Sequence, residues 1–182
     1  MANFDRDGLE FLASRMDDKA RRETGWAKGE ALRCAEAVRA FQETFALPAF
    51  KRYKFTAPPK GLFKTVAGVK MNITLNAGIT QEKDGATFSG GLVLKYAFGA
   101  DRLRISSQLS NAAGLILWGL EGGQMEPLSR LCMAVDLAER NPVKASKSYE
   151  RFRARVTESC KEISARWDDI EPPHDYDGPD WR

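Results

Sequence analysis

The sequence predicts an α+β protein, with helices at both ends and an antiparallel β-meander of about four strands between them. Three patterns lead to this fold class. Apolar residues recur at helical spacing from about residue 5 to residue 47, and they alternate with polar residues from Val69 to Ile79. Helical periodicity returns after Pro127, so we expect the C-terminal helices to pack on one face of the sheet.

The length and composition indicate one domain. The chain has 182 residues, of which 43% are hydrophobic and 29% charged, as in an ordinary globular protein. We expect a single α+β domain over residues 1–170 and an acidic, Pro/Asp-rich tail over residues 171–182. The N-terminus has no apolar core of a secretory signal, and the longest apolar run, residues 112–120, is too short to span a bilayer. A cytoplasmic protein with no membrane partner is therefore expected.

The N-terminal stretch is expected to form two helices. Thr24 and Gly25 separate them, because a Thr N-cap and a Gly both interrupt helical geometry, and Leu47-Pro48 ends the second helix. One face of the second helix is apolar and is formed by Cys34, Val38, Phe41 and Phe45.

The central strands can be placed in register by matching their inward faces. If residues 82–85 form a four-residue loop, Leu75 meets Leu92, and inward residues face inward residues along both strands. If residues 99–102 form the next loop, a third strand over about 103–109 pairs in the same way. The result is an antiparallel meander.

The apolar run at 112–120 does not alternate, so it is either a strand buried on both faces or a short buried helix. We prefer a fourth strand, because the surrounding glycines and Asn111 disfavour helix. In that strand Leu115 and Leu117 face outward, and apolar residues on an outward face need a cover such as another protein chain.

Two further helices are expected to close the fold. The first runs from about Pro127 to Arg140, and the second begins at Asn141-Pro142 and ends near Ile170. An apolar stripe with heptad-like spacing along the second helix is wide enough to cover a sheet or to pair with a helix of another copy, so a homodimer is possible.

The sequence offers no catalytic or cofactor motif. The only histidine, His174, lies in the Pro/Asp-rich tail, and neither zinc-ligand spacing nor a Gly-rich phosphate loop is present. The Gly-Gly pairs at 90–91 and 122–123 are interpreted as a bulge and a turn. The three cysteines fit apolar packing. Carboxylate catalysis through Glu36, Glu43 or Asp136 is the weakest hypothesis, and we expect a non-enzymatic protein without cofactor or metal.

Charge is strongly patterned along the chain. Residues 51–100 carry 8 basic and 2 acidic side chains, and residues 140–166 carry 8 and 3. Residues 167–182, in contrast, carry 1 basic and 6 acidic side chains. Two basic blocks and an acidic tail say more about partners than the total charge of +3 does.

The first basic block predicts a nucleic-acid interface. In the proposed meander the outward side chains of neighbouring strands form an acid-free face, and the basic, aromatic linker before the strands adds phosphate contacts. The residues assigned to this interface are Lys51, Arg52, Lys54, Lys60, Lys64, Lys70, Asn72, Lys95, Arg102, Arg104 and Gln108. A merely solvated sheet face is the alternative, and the linker aromatics are also consistent with core anchoring.

The acidic tail is open to three interpretations. It is a solvated terminus, or it folds back over the basic face as a competitor, or it docks into a partner through Tyr176 and Trp181. The leading functional hypothesis is a nucleic-acid-binding protein or accessory subunit, with single-stranded nucleic acid as a possible partner. The alternative is a structural or adaptor subunit of a protein assembly.

Overall fold

The computed structural model describes residues 6–46, 50, 53–96, 102–146 and 149–169, and it confirms the α+β class. The helices in these ranges are α1 (Arg6–Arg22), α2 (Gly25–Ala46), α3 (Arg102–Leu120) and α4 (Glu150–Arg166), the last followed by a 3-10 turn at Trp167–Asp169. The strands are β1 (Lys54–Thr56), β2 (Phe63–Val66), β3 (Val69–Asn72), β4 (Ala77–Lys83), β5 (Ala86–Lys95), β6 (Pro127–Asp136) and β7 (Asn141–Lys144).

The strands form two sheets rather than one meander. Five of them make a mixed sheet in the order β1-β4-β5-β6-β7, and β2 pairs with β3 in a separate ribbon. The β5–β6 pair is parallel, with Leu92 opposite Met133, whereas the other pairs are antiparallel. A parallel pair needs a long crossover, and α3 provides it.

The N-terminal helical hairpin forms as predicted. The chain turns between α1 and α2 at Gly25, whose φ of 56° lies in the left-handed region that glycine tolerates. The two helices approach each other through alanines, and Ala13, Ala20, Ala31 and Ala35 are all buried.

The β4–β5 hairpin is confirmed, but its predicted loop is wrong. Asp84 and Gly85 alone form the turn, both with positive φ, and Lys83 faces Ala86. An Asp-Gly pair suits a two-residue turn because both positions need left-handed backbone. The true register differs from the predicted one by two residues, so the same residues of each strand share a face. The face predicted to point outward is nevertheless covered by α3, since a Cβ at Gly91 would lie 2.8 Å from Ile116.

The long alternating strand at 69–79 is interrupted. Its first part, β3, folds back on β2 through a two-residue turn at Ala67-Gly68, again with positive φ, and only its last part joins the main sheet. At the break, the side-chain Oδ1 of Asn76 accepts a hydrogen bond from the backbone N–H of Leu94 at 2.8 Å. The Asn76 side chain therefore takes the place of a backbone acceptor for Leu94, at the point where the strand leaves the sheet.

The strands predicted at 103–109 and 112–120 are both wrong, because these residues form the single helix α3. Its buried side chains recur at helical spacing and are Leu109, Ala113, Ile116 and Leu117. Its glycines mark close approaches. A Cβ at Gly114 would lie 3.0 Å from the Phe152 ring, and one at Gly119 would lie 2.5 Å from Ile73.

The helix predicted at 127–140 is also wrong. This segment forms β6 and the turn into β7, and every residue from Leu131 to Leu137 is buried. Because β6 is covered on both faces, its apolar run does not alternate and looks helical in the sequence. Asn141-Pro142 does not start a helix but lies in β7, an edge strand, where proline is tolerated.

Two apolar cores lie on opposite faces of the main sheet. The end of α2 covers one face, where Phe45 packs with Leu131 and Met133. Helix α3 covers the other face, where Ile116 packs with Cys132. Helix α4 packs on α3, with Phe152 against Gly114, so both helices after the first strands lie on the α3 side of the sheet, and the β2–β3 ribbon lies beside them.

Candidate nucleic-acid interface

The β2–β3 ribbon presents a defined outward face. Phe63 pairs with Asn72 and Thr65 with Lys70, so these four side chains lie on the same side, and all four are exposed. The other side of the ribbon is half-buried and is formed by Lys64, Val66, Val69 and Met71. The alternation predicted for this segment thus holds in β3, although its partner strand is β2.

Lys70 and Phe63 form a cation–aromatic pair on this face. The Lys70 Nζ lies 4.5 Å from the centroid of the Phe63 ring, and the ring itself is 49% exposed. Among the described side chains, no carboxylate pairs with Lys70. The Lys70 side chain is exposed.

The chain segment that contains the ribbon is basic. Residues 53–81 contain four cations and no acid, and these cations are Lys54, Lys60, Lys64 and Lys70. Lys54 and Lys60 are exposed, and Lys64 is half-buried. Exposed lysines of this kind attract phosphates.

A cleft adjoins the turn of the ribbon. It has a volume of about 480 Å³ and lies between the turn and the last turns of α4, lined by Gly68, Val69, Lys70, Ile163, Ser164 and Trp167. Trp167 is 50% exposed and Ile163 is 42% exposed. A Cβ at Gly68 would lie 3.4 Å from the Ser164 hydroxyl oxygen, so the turn is in near contact with the helix.

A polar cluster joins the end of α3 to the start of α4 behind the ribbon. The Tyr149 hydroxyl and the Arg153 guanidinium both donate to the Glu121 carboxylate, and Arg153 also donates to the Tyr149 oxygen at 2.8 Å. The guanidinium carbon lies 4.1 Å from the centroid of the Tyr149 ring and 5.1 Å from that of Trp118. Arginine is thus held by hydrogen bonds in its plane and by rings beside it.

The cluster keeps Glu121 ionised. Partial burial disfavours the carboxylate, but the hydrogen bonds from Arg153 and Tyr149 and the charge of Lys64 outweigh this and lower the pKa of Glu121. Burial and the neighbouring carboxylate raise the pKa of Tyr149. Both groups keep their neutral-pH forms, so the hydrogen bonds that tie the start of α4 to the end of α3 are present at pH 7.

The structure brings together only part of the predicted interface. Lys64, Lys70 and Asn72 lie on the ribbon and Lys60 just before it, while Lys54 lies on the edge strand β1. Lys95 lies elsewhere, at the end of β5 opposite Asp136.

The remaining predicted residues do not extend the ribbon. Gln108 is exposed on α3, and Arg102 and Arg104 belong to the first turn of that helix, with side chains outside the described set. Lys51 and Arg52 lie outside the described residues. The predicted acid-free face across three strands is therefore wrong, because its third strand is the first half of α3.

The predicted partner-binding residues have mixed outcomes. Leu117 is only 4% exposed and Leu115 is half-buried, so the prediction that both face outward is wrong. The reason is that this segment is a helix, which directs Leu117 into the core and leaves Leu115 half-buried, whereas a strand would place both on one outward face. Tyr176 and Trp181, like His174, lie outside the described residues.

The linker aromatics divide between core and surface. Tyr53 is buried, and the Phe55 ring lies 5.5 Å from that of Phe45, so both anchor the chain in the core. Phe63 alone of the three is exposed. The Ala67-Gly68 turn was the missed signal, since a two-residue turn between two short β-like runs indicates a hairpin.

The candidate carboxylates have structural partners or lie on the surface. Asp136 is buried and accepts hydrogen bonds from the backbone N–H groups of Ala138 and Glu139, which closes the turn after β6. Glu43 pairs with Arg140, and Glu36 is exposed on α2.

The buried thiol of Cys132 is chemically quiet. Burial raises its pKa to about 12, so the reactive thiolate is absent at neutral pH. Over the described ranges, no group of three or more His, Cys, Asp or Glu side chains is placed to hold a metal ion.

Comparison with family models, with curated proteins and with solved structures finds no match to this chain. None of the helices in the described ranges combines the length and the apolar character needed to cross a membrane.

Proposed function

We propose that the protein binds nucleic acid, and single-stranded nucleic acid in preference to duplex, through the outward face of the β2–β3 ribbon. The observation that carries the proposal is the Lys70–Phe63 pair, an exposed aromatic ring beside a cation that has no carboxylate partner among the described side chains, in a segment that contains no acid. An exposed ring beside a cation suits a ligand that carries both a negative charge and a flat ring able to stack on Phe63.

Each component of the face has a role in this proposal. Lys60 and Lys70 neutralise phosphates and release counterions, which supplies most of the affinity. The free side of the Phe63 ring stacks on an unpaired base, an interaction worth about 1–3 kcal/mol per base. Thr65 and Asn72 donate and accept hydrogen bonds with sugar or base edges.

Fluorescence anisotropy on the full chain tests the proposal. A labelled single-stranded oligonucleotide and a matched duplex are titrated at low salt, and tighter binding of the single strand is expected. Lys60→Gln/Lys70→Gln should weaken binding about 10-fold, because two phosphate contacts are lost. Phe63→Ser should reduce the preference for the single strand.

The matched control is Lys19→Gln/Lys28→Gln, which removes the same charge from exposed positions on α1 and α2. It should bind within about 2-fold of the unmodified chain, since distant charges are screened. No binding by the unmodified chain at low salt would end the proposal, and equal losses in both double variants would reduce it to non-specific charge attraction.

A second candidate, an adaptor subunit of a protein assembly, is favoured by a different observation. The two most exposed large apolar side chains among the described residues lie on the helical hairpin, Trp26 at 77% and Phe11 at 65%. Exposed large apolar side chains close together are typical of protein interfaces. Sedimentation equilibrium tests the homo-oligomeric form, which should resist salt and weaken in Trp26→Ser, and a strict monomer would exclude that form.

A further inference from the structure

The cleft beside the ribbon combines apolar walls with a hydroxyl group and a positive charge. Val69, Ile163 and Trp167 provide apolar surface, Ser164 a hydroxyl, and Lys70 the positive charge. No acid is among the described residues that line it. A ligand that carries a carboxylate next to an aromatic ring matches both the lysine and the apolar walls.

The chain itself contains such a segment. Residues 168–182 carry six acids and one cation, and Tyr176 stands between Asp175 and Asp177. Trp167 lines the cleft, and Tyr176 follows it by nine residues, which span at most about 30 Å when extended. A tether of this kind gives an effective concentration of about 1 mM or more, so a weak contact suffices.

We propose that the segment Asp175–Asp177 docks into this cleft within the same chain. The Tyr176 ring packs against Val69, Ile163 and Trp167, and a flanking carboxylate pairs with the Lys70 ammonium. The docking does not depend on the proposed function. Its consequence does, because an occupied cleft neutralises Lys70 and makes the tail a competitor of nucleic acid.

Amide NMR of the full chain, without nucleic acid, tests the docking directly. In Asp175→Asn/Asp177→Asn and in Tyr176→Ala, the resonances of Gly68, Val69, Lys70 and the Trp167 indole should shift relative to the unmodified chain. The same resonances should move when salt is raised from low to about 0.5 M, because screening weakens the ion pair. Glu82→Gln/Glu126→Gln, with the same charge change at exposed positions, should leave them in place.

Charge reversal supplies a rescue that a folding defect cannot imitate. Lys70→Glu and Asp175→Lys/Asp177→Lys should each abolish the docked signature, and their combination should restore it. Unchanged resonances at Gly68–Lys70 in all tail variants would overturn the proposal. Shifts that grow with protein concentration would also overturn it, because they would place the tail in a second copy.

The regulatory consequence is measured separately and rests on the proposed function. Asp175→Asn/Asp177→Asn should bind the single-stranded oligonucleotide about 2- to 5-fold more tightly than the unmodified chain, as expected for the loss of one exposed ion pair. If the NMR signature is present and no oligonucleotide binds, the docking stands and the proposed function fails. If the oligonucleotide binds and the NMR signature is absent, the proposed function stands and the docking fails.

Discussion

At the residue scale, Gly90 shows how little space the central sheet leaves. A Cβ at this position would lie 2.2 Å from the backbone oxygen of Leu131 on the adjacent strand. The β5–β6 register is irregular between Ser89 and Gly91, where the sequence predicted a bulge, and the extra residues lie on β6. Backbone atoms cannot move aside as a flexible side chain would.

Gly90→Ala should therefore lower the free energy of unfolding by about 3 kcal/mol, as overpacking against backbone does. Gly29→Ala is the matched control, because its Cβ would meet only the end of Arg33 at 3.8 Å. In the interior of α2 this change should stabilise by about 0.5–1 kcal/mol. Urea unfolding measures both, and similar values for the two variants would contradict the account.

Glu121 gives a prediction with a defined pH dependence. Its pKa in the folded protein lies below the ordinary value of 4.5, so its contribution is complete above that value and is lost as the pH falls through the lowered pKa. Glu121→Gln should cost about 1–2 kcal/mol at pH 7, and the difference should shrink below pH 4.5. Exposed Glu126→Gln should show neither effect in urea unfolding across pH.

At the element scale, the helical hairpin depends on small residues. Helix α1 packs mainly against α2, and its Ala13 is fully buried there. Ala13→Leu should force the helices apart and cost about 1–3 kcal/mol. Neighbouring Leu12→Ala, at a position 39% exposed, should change the free energy of unfolding by less than about 0.5 kcal/mol. Circular dichroism during urea unfolding distinguishes these outcomes.

The elements also show which parts of the fold sequence patterns can predict. Gly25 and the β4–β5 hairpin were predictable, because turns and alternation are local signals. The secondary structure of α3 and β6 was predicted the wrong way round, as strand and helix respectively. Both elements are buried on more than one side, so their apolar runs lack a clear period. Lys70 and Asn72 were correctly placed on an exposed face, but the cleft with Trp167 depends on residues almost a hundred positions apart.

At the scale of the whole molecule, β6 is the centre of stability. It pairs with β5 on one side and β7 on the other, and Leu131–Val135 is buried against both cores. Hydrogen exchange should be slowest for these amides, since they open only on global unfolding. The amides of α1 should exchange much faster, because that helix packs mainly on α2. Equal protection in α1 and β6 would contradict this view.

The central claim is that the β2–β3 ribbon holds the phosphates of a single strand, and the salt dependence of binding tests it most directly. Anisotropy titrations from about 50 to 300 mM salt should give a log–log slope of about −1.4, as expected for the two phosphate contacts assigned to Lys60 and Lys70. Lys60→Gln/Lys70→Gln should flatten the slope by about 1.4, while Lys19→Gln/Lys28→Gln should leave it unchanged. Absence of binding at 50 mM salt would contradict the claim, and so would an unchanged slope in Lys60→Gln/Lys70→Gln.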